Sequence, residues 1–114
     1  MRVKNSTRGV VLGDAVIVAD DSGTRRTGLL KHDSLKFGEG LWIVPCEAVH
    51  TFGMKFSIDV VFLNRKKQIL KVRKDMARRR IAMCLRAHSV LELPAGTLEQ
   101  TGTSPGDQLE FERL

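Results

Sequence analysis

The sequence predicts a mainly β domain at the margin of the α+β class. We expect a compact small barrel or sandwich of short, mostly antiparallel strands with one or two short helices. The apolar stretches are short and rich in β-branched residues, turn-forming residues separate them, and several alternate between apolar and polar positions. At 114 residues the chain has the length of one domain, so residues 1–114 are predicted to form a single unit.

The first third of the chain predicts two strands and a helix. The β-branched runs 10–12 and 15–19 are divided by a Gly-Asp pair, which predicts a tight turn between two short strands. A nearby Ser or Thr can cap a short helix over residues 25–30. The polar segment 31–40, which carries two glycines, predicts a loop.

Two runs in the middle of the chain predict the centre of the sheet. Residues 41–44 are apolar, and Pro45 ends the run because proline donates no hydrogen bond to a sheet ladder. Residues 46–53 are predicted to be an irregular connection. The run 58–63 is apolar on both of its faces apart from Asp59, so it predicts a central strand that is covered on both sides.

The remaining elements follow the same kind of pattern. Residues 68–73 alternate and predict a half-exposed strand that pairs with the central strand through a charged turn. The short apolar run 81–85 fits a strand and a helix equally well. A strand over 89–93 is followed by a short helix over 95–100, since proline suits the first turn of a helix. Residues 108–112 alternate cleanly and predict the last strand.

Positive charge is concentrated in one part of the chain. The formal net charge is +6, and ten of the nineteen Lys and Arg residues lie between positions 65 and 86, beside one acidic residue, Asp75. Such a block can attract nucleic acid or another acidic partner. A solvated strand edge whose charge opposes aggregation is the favoured interpretation, so nucleic acid stays an alternative partner.

Composition also bears on location and cofactors. No stretch approaches the roughly 18 apolar residues of a membrane-spanning helix, and the N-terminal residues lack the apolar core of an export signal. We therefore expect a soluble, cytoplasmic protein without a membrane span. Cys46 and Cys84 are then expected to be free thiols, and no metal or other cofactor is expected.

The residues with the greatest chemical potential begin near position 46. Cys46, His50 and Met54 are spaced by four, and on a helix they would share a face suited to copper(I) or zinc. Pro45 and Gly53 argue against a regular helix, so packing of the thiol and thioether in the core is favoured. A Cys46 nucleophile with His50 as its base is the enzymatic alternative.

Asp59 is predicted to have either a structural or a functional role. A carboxylate on a strand covered on both faces must find a partner or change its pKa. It either fixes the 45–53 connection through hydrogen bonds or joins His50 and Glu92 in a polar pocket, although Glu92 can also be a surface residue. The predicted ligand-binding residues are Trp42, Cys46, His50, Met54, Asp59 and Glu92.

Several ordered motifs resemble one known family. They are Gly-Leu-Trp-Ile at 40–43 with Cys46, His-Thr-Phe-Gly-Met-Lys-Phe at 50–56, Ile-Asp-Val-Val-Phe-Leu at 58–63, Leu-Glu-Leu-Pro-Ala-Gly at 91–96 and Gly-Asp at 106–107, with Arg-Thr-Gly-Leu at 26–29 upstream. From about Val16 onward the chain resembles domain of unknown function 192, also called uncharacterised protein family 0127. It departs from that pattern at Ser57, where the family usually has Pro, and at the turn 64–67, which lacks Gly.

The resemblance implies a small β-rich domain of bacteria or archaea with no established activity. Together with the residues, it favours a non-enzymatic ligand-binding or interaction domain with a polar pocket around His50 and Asp59, acting on an unknown small ligand or protein. One alternative is a metal-binding protein or thiol-dependent enzyme that uses Cys46 and His50. Another is a binder of nucleic acid or an acidic partner through the basic segment 65–80.

Overall fold

Nine strands and two short helices make up residues 1–113, the part of the chain that this computed structural model describes. In chain order they are β1 (Arg2–Asn5), β2 (Val10–Ala19), α1 (Ser22–Thr27), β3 (Gly38–Ile43), β4 (Ala48–His50), β5 (Ile58–Leu63), β6 (Ile69–Met76), β7 (Ile81–Met83), β8 (Ser89–Pro94), α2 (Thr97–Thr101) and β9 (Leu109–Glu112). The mainly β prediction is confirmed. Within residues 1–113, neither helix has the length or apolar character needed to cross a membrane.

Seven strands form one curled sheet in the order β6-β5-β8-β3-β2-β1-β9. Its neighbours are antiparallel except for β2 and β3, which run parallel. The two ends of the sheet meet at one isolated bridge between Gln68 and Gln108, so the curl comes close to a barrel without closing into one. β4 and β7 form a separate antiparallel ribbon.

Apolar layers cover both faces of the sheet, and β5 shows how. Val60 and Phe62 belong to one buried cluster, and Val61 and Leu63 belong to the other, because successive side chains of a strand point to opposite faces. We call the first side the outer face and the second, inside the curl, the inner face. Every residue of β5 is buried, which confirms the predicted central strand.

Different elements cover the two faces. The outer cluster includes Leu29 after α1, Val49 of β4 and Ala82 of β7, so the ribbon and the segment after α1 pack over this side of the sheet. The inner cluster includes Leu98 of α2. The β4–β7 ribbon is therefore what turns the outer face from a solvated surface into a second core.

The predicted turn between residues 12 and 15 was wrong, since β2 runs through it without a break. A side chain at Gly13 would place its Cβ 2.9 Å from the carbonyl oxygen of Gly38. Glycine at this position therefore allows β3 to approach closely where the register between the two strands shifts.

The connection 46–53 is less irregular than predicted. Its residues Ala48–His50 form β4 and pair with Ile81–Met83, which shows that the ambiguous run 81–85 begins as a strand. The first helix also lies earlier than predicted. The Asp21 carboxylate caps it by accepting the N–H of Thr24 at 2.8 Å.

Candidate functional site

A cavity of about 250 Å³ opens on the outer face, between the end of α1, the β3–β4 connection, β4 and β8. Four of the six residues predicted to bind a ligand line it: Cys46, His50, Met54 and Glu92. They come from four separate places in the fold, and this arrangement does not depend on the helical spacing that first grouped three of them.

Glu92 forms the buried end of this cavity. β8 lies between β5 and β3, with Glu92 opposite Val60 and Leu41, and its side chain shares the outer face with Val60. It is 3% exposed. The alternative that Glu92 is a surface residue was therefore wrong, because β8 is an interior strand whose outer side is covered.

The carboxyl group of Glu92 has no hydrogen-bond or ion-pair partner among residues 1–113. Burial alone raises its pKa from 4.5 to about 7, since the ionised form is poorly solvated there. Near neutral pH this group therefore exchanges between a neutral hydrogen-bond donor and an unpaired anion. A perturbed carboxyl facing a cavity is a typical functional-site candidate.

Cys46 lies in the cavity wall between β3 and β4. Its Sγ donates to the carbonyl oxygen of Ala48 at 3.1 Å. Burial raises the pKa of the Cys46 thiol, and the nearby Glu92 carboxylate adds to this effect. A thiol with a raised pKa is mostly protonated near neutral pH and is a poor nucleophile, so the electrostatics disfavour a thiol-dependent mechanism.

His50 and Met54 line the cavity with an exposed polar side chain and a buried apolar one, respectively. His50 is exposed at the end of β4, with its ring centroid 5.9 Å from that of Phe52. Met54 is buried in the outer core. Residues 1–113 contain no group of three or more His, Cys, Asp or Glu side chains arranged to hold a metal ion.

Asp59 lies on the inner face, away from the cavity. It stands opposite Leu93 while its neighbour Val60 stands opposite Glu92, so the two carboxyl groups point to opposite sides of the sheet. The structure thus does not bring Asp59 together with Glu92 and His50. His50 and Asp59 therefore do not share a pocket, which corrects that part of the prediction.

The partners of Asp59 are backbone groups of other elements. Its two carboxylate oxygens accept the N–H of Asp75 at 2.8 Å and the N–H of Leu98 at 2.9 Å. Asp75 has φ 50° and lies where the register between β5 and β6 shifts. Asp59 therefore joins β6 and α2 to the central strand, and does not fix the 45–53 connection.

Trp42 also belongs to the inner side of the sheet. It packs with the inner cluster. The centroid of its ring lies 4.3 Å from that of the Phe111 ring and 5.6 Å from the Lys67 ammonium. The single Trp of the chain is therefore part of the packing of the inner face. Trp42 does not line the cavity.

Two arginines line the cavity that were not predicted from the sequence. Arg25 and Arg26 occupy the last turn of α1, and Gly28, with φ 51°, ends the helix and directs Leu29 into the outer core. The Arg-Thr-Gly-Leu motif was the available signal. It marked the segment without showing that the helix end faces β8.

The basic segment lies on a different part of the surface. Arg65, Lys66 and Arg86 line an open cleft of about 800 Å³, which shares Pro45 and Cys46 with the outer-face cavity. Of the ten basic residues between 65 and 86, Lys74 alone forms an ion pair within residues 1–113, with Glu99 at 3.2 Å. Two of the others have uncharged partners, since the Lys67 ammonium lies over the Trp42 ring and the Lys71 ammonium donates to the carbonyl oxygen of Met83.

Comparisons with known proteins agree on the fold and on a family. The DUF192 family model, described as Uncharacterized ACR, matches residues 3–111. A UPF0127 protein from Thermococcus sibiricus (strain DSM 12597 / MM 739) is 26% identical over 113 residues, which are 95% of this chain and 73% of that protein.

Two solved structures are similar over almost the whole chain. One is a protein of unknown function from Novosphingobium aromaticivorans DSM 12444, with a TM-score of 0.86 and 19% identity, covering 97% of this chain and 84% of that one. The other is a candidate transcription regulator from Sinorhizobium meliloti 1021, with a TM-score of 0.82 and 25% identity, covering 96% of this chain and 89% of that one.

Proposed function

This chain belongs to the DUF192 family of uncharacterised proteins, and on that premise we propose that its outer-face cavity binds a small polar ligand through the carboxyl group of Glu92. The proposal is for a non-enzymatic binding domain. It keeps Cys46, His50, Met54 and Glu92 from the predicted site and leaves Trp42 and Asp59 to the packing of the inner face.

The observation that carries the proposal is a buried carboxyl without a partner, facing a cavity. Leaving such a group unpaired costs free energy, so buried polar groups in folded proteins nearly always have partners. A bound ligand that donates a hydrogen bond or carries a positive charge would supply the missing one. Apolar walls with a few converging polar groups are the usual form of a small-molecule site.

The size of the cavity limits the ligand. A volume of about 250 Å³ corresponds to roughly eight water molecules at the volume each occupies in the liquid. It also lies just below the range of about 300–1,000 Å³ that is usual for drug-sized ligands. A compact metabolite therefore fits the site better than a peptide or a nucleotide.

At pH 8, where Glu92 is mostly ionised, n-butylammonium is expected to bind in the cavity and to shift the NMR signals of the Met54 methyl group. The Glu92→Gln variant is expected to bind it at least about tenfold more weakly, because a hydrogen bond to a charged group is worth about 1.5–3 kcal/mol. Glu99→Gln is the matched control, since it removes an exposed carboxylate on α2. Equal affinity in the wild type and Glu92→Gln would contradict the proposal.

A second candidate function is binding of nucleic acid or an acidic partner through the basic segment 65–80. The unpaired charge in this segment favours it, and one structural relative is a candidate transcription regulator. A short oligonucleotide is then expected to bind at low salt with an affinity that falls steeply as salt is added. The absence of binding at low salt would reject this candidate. The predicted cytoplasmic location and single-domain organisation stay predictions.

A further inference from the structure

We infer that the ligand of the outer-face cavity is a small zwitterion, whose ammonium group meets Glu92 and whose anionic group, such as a carboxylate, meets Arg25. This inference rests on the proposed binding function and names the chemical class of its ligand. It follows from the way in which the cavity keeps two opposite charges apart.

Arg25 and Glu92 line the same cavity but do not form an ion pair with each other. The pKa of Glu92 is shifted by burial and not by a neighbouring guanidinium. The Cys46 thiol, in contrast, is affected by both groups, since the Glu92 carboxylate raises its pKa and the Arg25 guanidinium lowers it. Both charged groups are therefore close enough to act on Cys46, which lines the same cavity.

The positive end is held in place by the backbone. One guanidinium nitrogen of Arg25, Nη1, donates to the carbonyl oxygen of Asp20 at 2.8 Å, which positions the side chain beside α1. A guanidinium has five N–H donors in a planar fork, so the others remain for a ligand. No carboxylate within residues 1–113 pairs with Arg25 or with the neighbouring Arg26.

The cavity that Arg25 and Glu92 line also has apolar walls. Leu29, Ile43 and Met54 line the same cavity and belong to the buried outer core. Such walls offer no competing hydrogen bonds and suit a chain of methylene groups, whose burial is favourable. An ammonium and a carboxylate joined by a short aliphatic spacer match this sequence of surfaces.

Simpler ligands match it less well. A plain cation would satisfy Glu92 and leave the arginines at the mouth unused, and a plain anion would meet an unpaired carboxyl at the buried end. A metal ion would find one carboxyl and no group of three ligands within residues 1–113. The zwitterion is the class that pairs both ends.

The test compares three probes with the same five-carbon skeleton at pH 8: 5-aminopentanoate, n-pentylammonium and pentanoate. We expect 5-aminopentanoate to bind at least about tenfold more tightly than either of the others, since each charged contact adds to its affinity. Arg25→Gln is expected to remove its advantage over n-pentylammonium, and Arg25→Lys to restore part of it. Arg79→Gln, which changes an exposed arginine outside the cavity, should leave all three affinities unchanged.

Each other outcome has a definite meaning. If n-pentylammonium binds the cavity as tightly as 5-aminopentanoate, the site exists but its ligand is a simple cation, and the inference is overturned. If pentanoate binds best and its affinity rises as Glu92 is protonated at lower pH, the ligand is a simple anion, and the inference is again overturned. If none of the probes shifts the signals of the cavity residues, the proposed binding function fails with it. Unchanged amide spectra of the free variants would show that they remain folded.

Discussion

Replacing Asp59 with alanine is expected to lower the free energy of unfolding by about 1–4 kcal/mol. The change leaves the buried N–H of Leu98 and the partly buried N–H of Asp75 without their acceptor, and a buried group left unsatisfied costs about 1–3 kcal/mol, a partly exposed one less. Asp59 is 1% exposed, so water cannot easily take its place. Asp59→Asn is expected to have a smaller effect, since the amide keeps one acceptor oxygen for the two donors.

Urea denaturation measures this effect, and Asp33→Ala is the matched control. Asp33 pairs with Lys55 at 2.6 Å on the exposed surface, so its loss should leave stability almost unchanged. A loss of less than about 1 kcal/mol in Asp59→Ala would contradict the structural role. Loss of ligand binding without loss of stability would instead return Asp59 to the functional site.

The second large effect is a pH-dependent cost of Glu92. Its pKa is raised from 4.5 to about 7 in the folded chain, so between these values the folded state keeps a proton that the unfolded state has lost. The free energy of unfolding therefore falls as pH rises from about 4.5 to about 7 and is constant on either side, as far as this group is concerned. The total is on the order of 3 kcal/mol.

The Glu92→Gln variant removes this contribution. Relative to the wild type, it is expected to be more stable at pH 8 than at pH 4.5 by on the order of 3 kcal/mol. Denaturation of both proteins at both pH values gives this double difference, in which the other titrating groups cancel. Glu99→Gln should show no such difference, because its carboxylate is exposed. A stability difference that is independent of pH, or that has the opposite sign, would contradict the burial of an unpaired acid.

Much of the sheet could be predicted because the evidence for it is local. The run 58–63 is apolar on both faces apart from Asp59, which is typical of a strand covered on both sides, and it is the central β5 of the structure. The strands at 68–73, 89–93 and 108–112 were likewise predicted from alternation and turn residues, and all three are present with bounds shifted by a few residues.

The site could be predicted only in part because its geometry depends on register. The sequence shows that Asp59 and Glu92 both lie on apolar strands. Only the pairing of β5 with β8 shows that they point to opposite faces. Arg25 was missed for a similar reason, since the pattern of a six-residue helix does not reveal which strand its end approaches. Such long-range placement is set by tertiary packing.

The grouping of Cys46, His50 and Met54 was useful, although the helical spacing behind it does not occur. Cys46 lies in the β3–β4 connection, His50 ends an extended strand, and Met54 follows the turn at Gly53, where φ is 81°. Their common position results from the β4–β7 ribbon packing over the outer face. Neither their spacing nor their chemistry requires a metal ion.

The most direct test of the proposed site is an NMR titration of the side-chain carboxyl carbon of Glu92. The structure predicts a midpoint near pH 7, because the buried group has no partner that favours its charged form. It also predicts that saturation with n-butylammonium moves this midpoint downward, since a bound cation stabilises the carboxylate. A titration midpoint near the ordinary value of 4.5 in the ligand-free protein would contradict the claim that Glu92 is a buried acid without a partner.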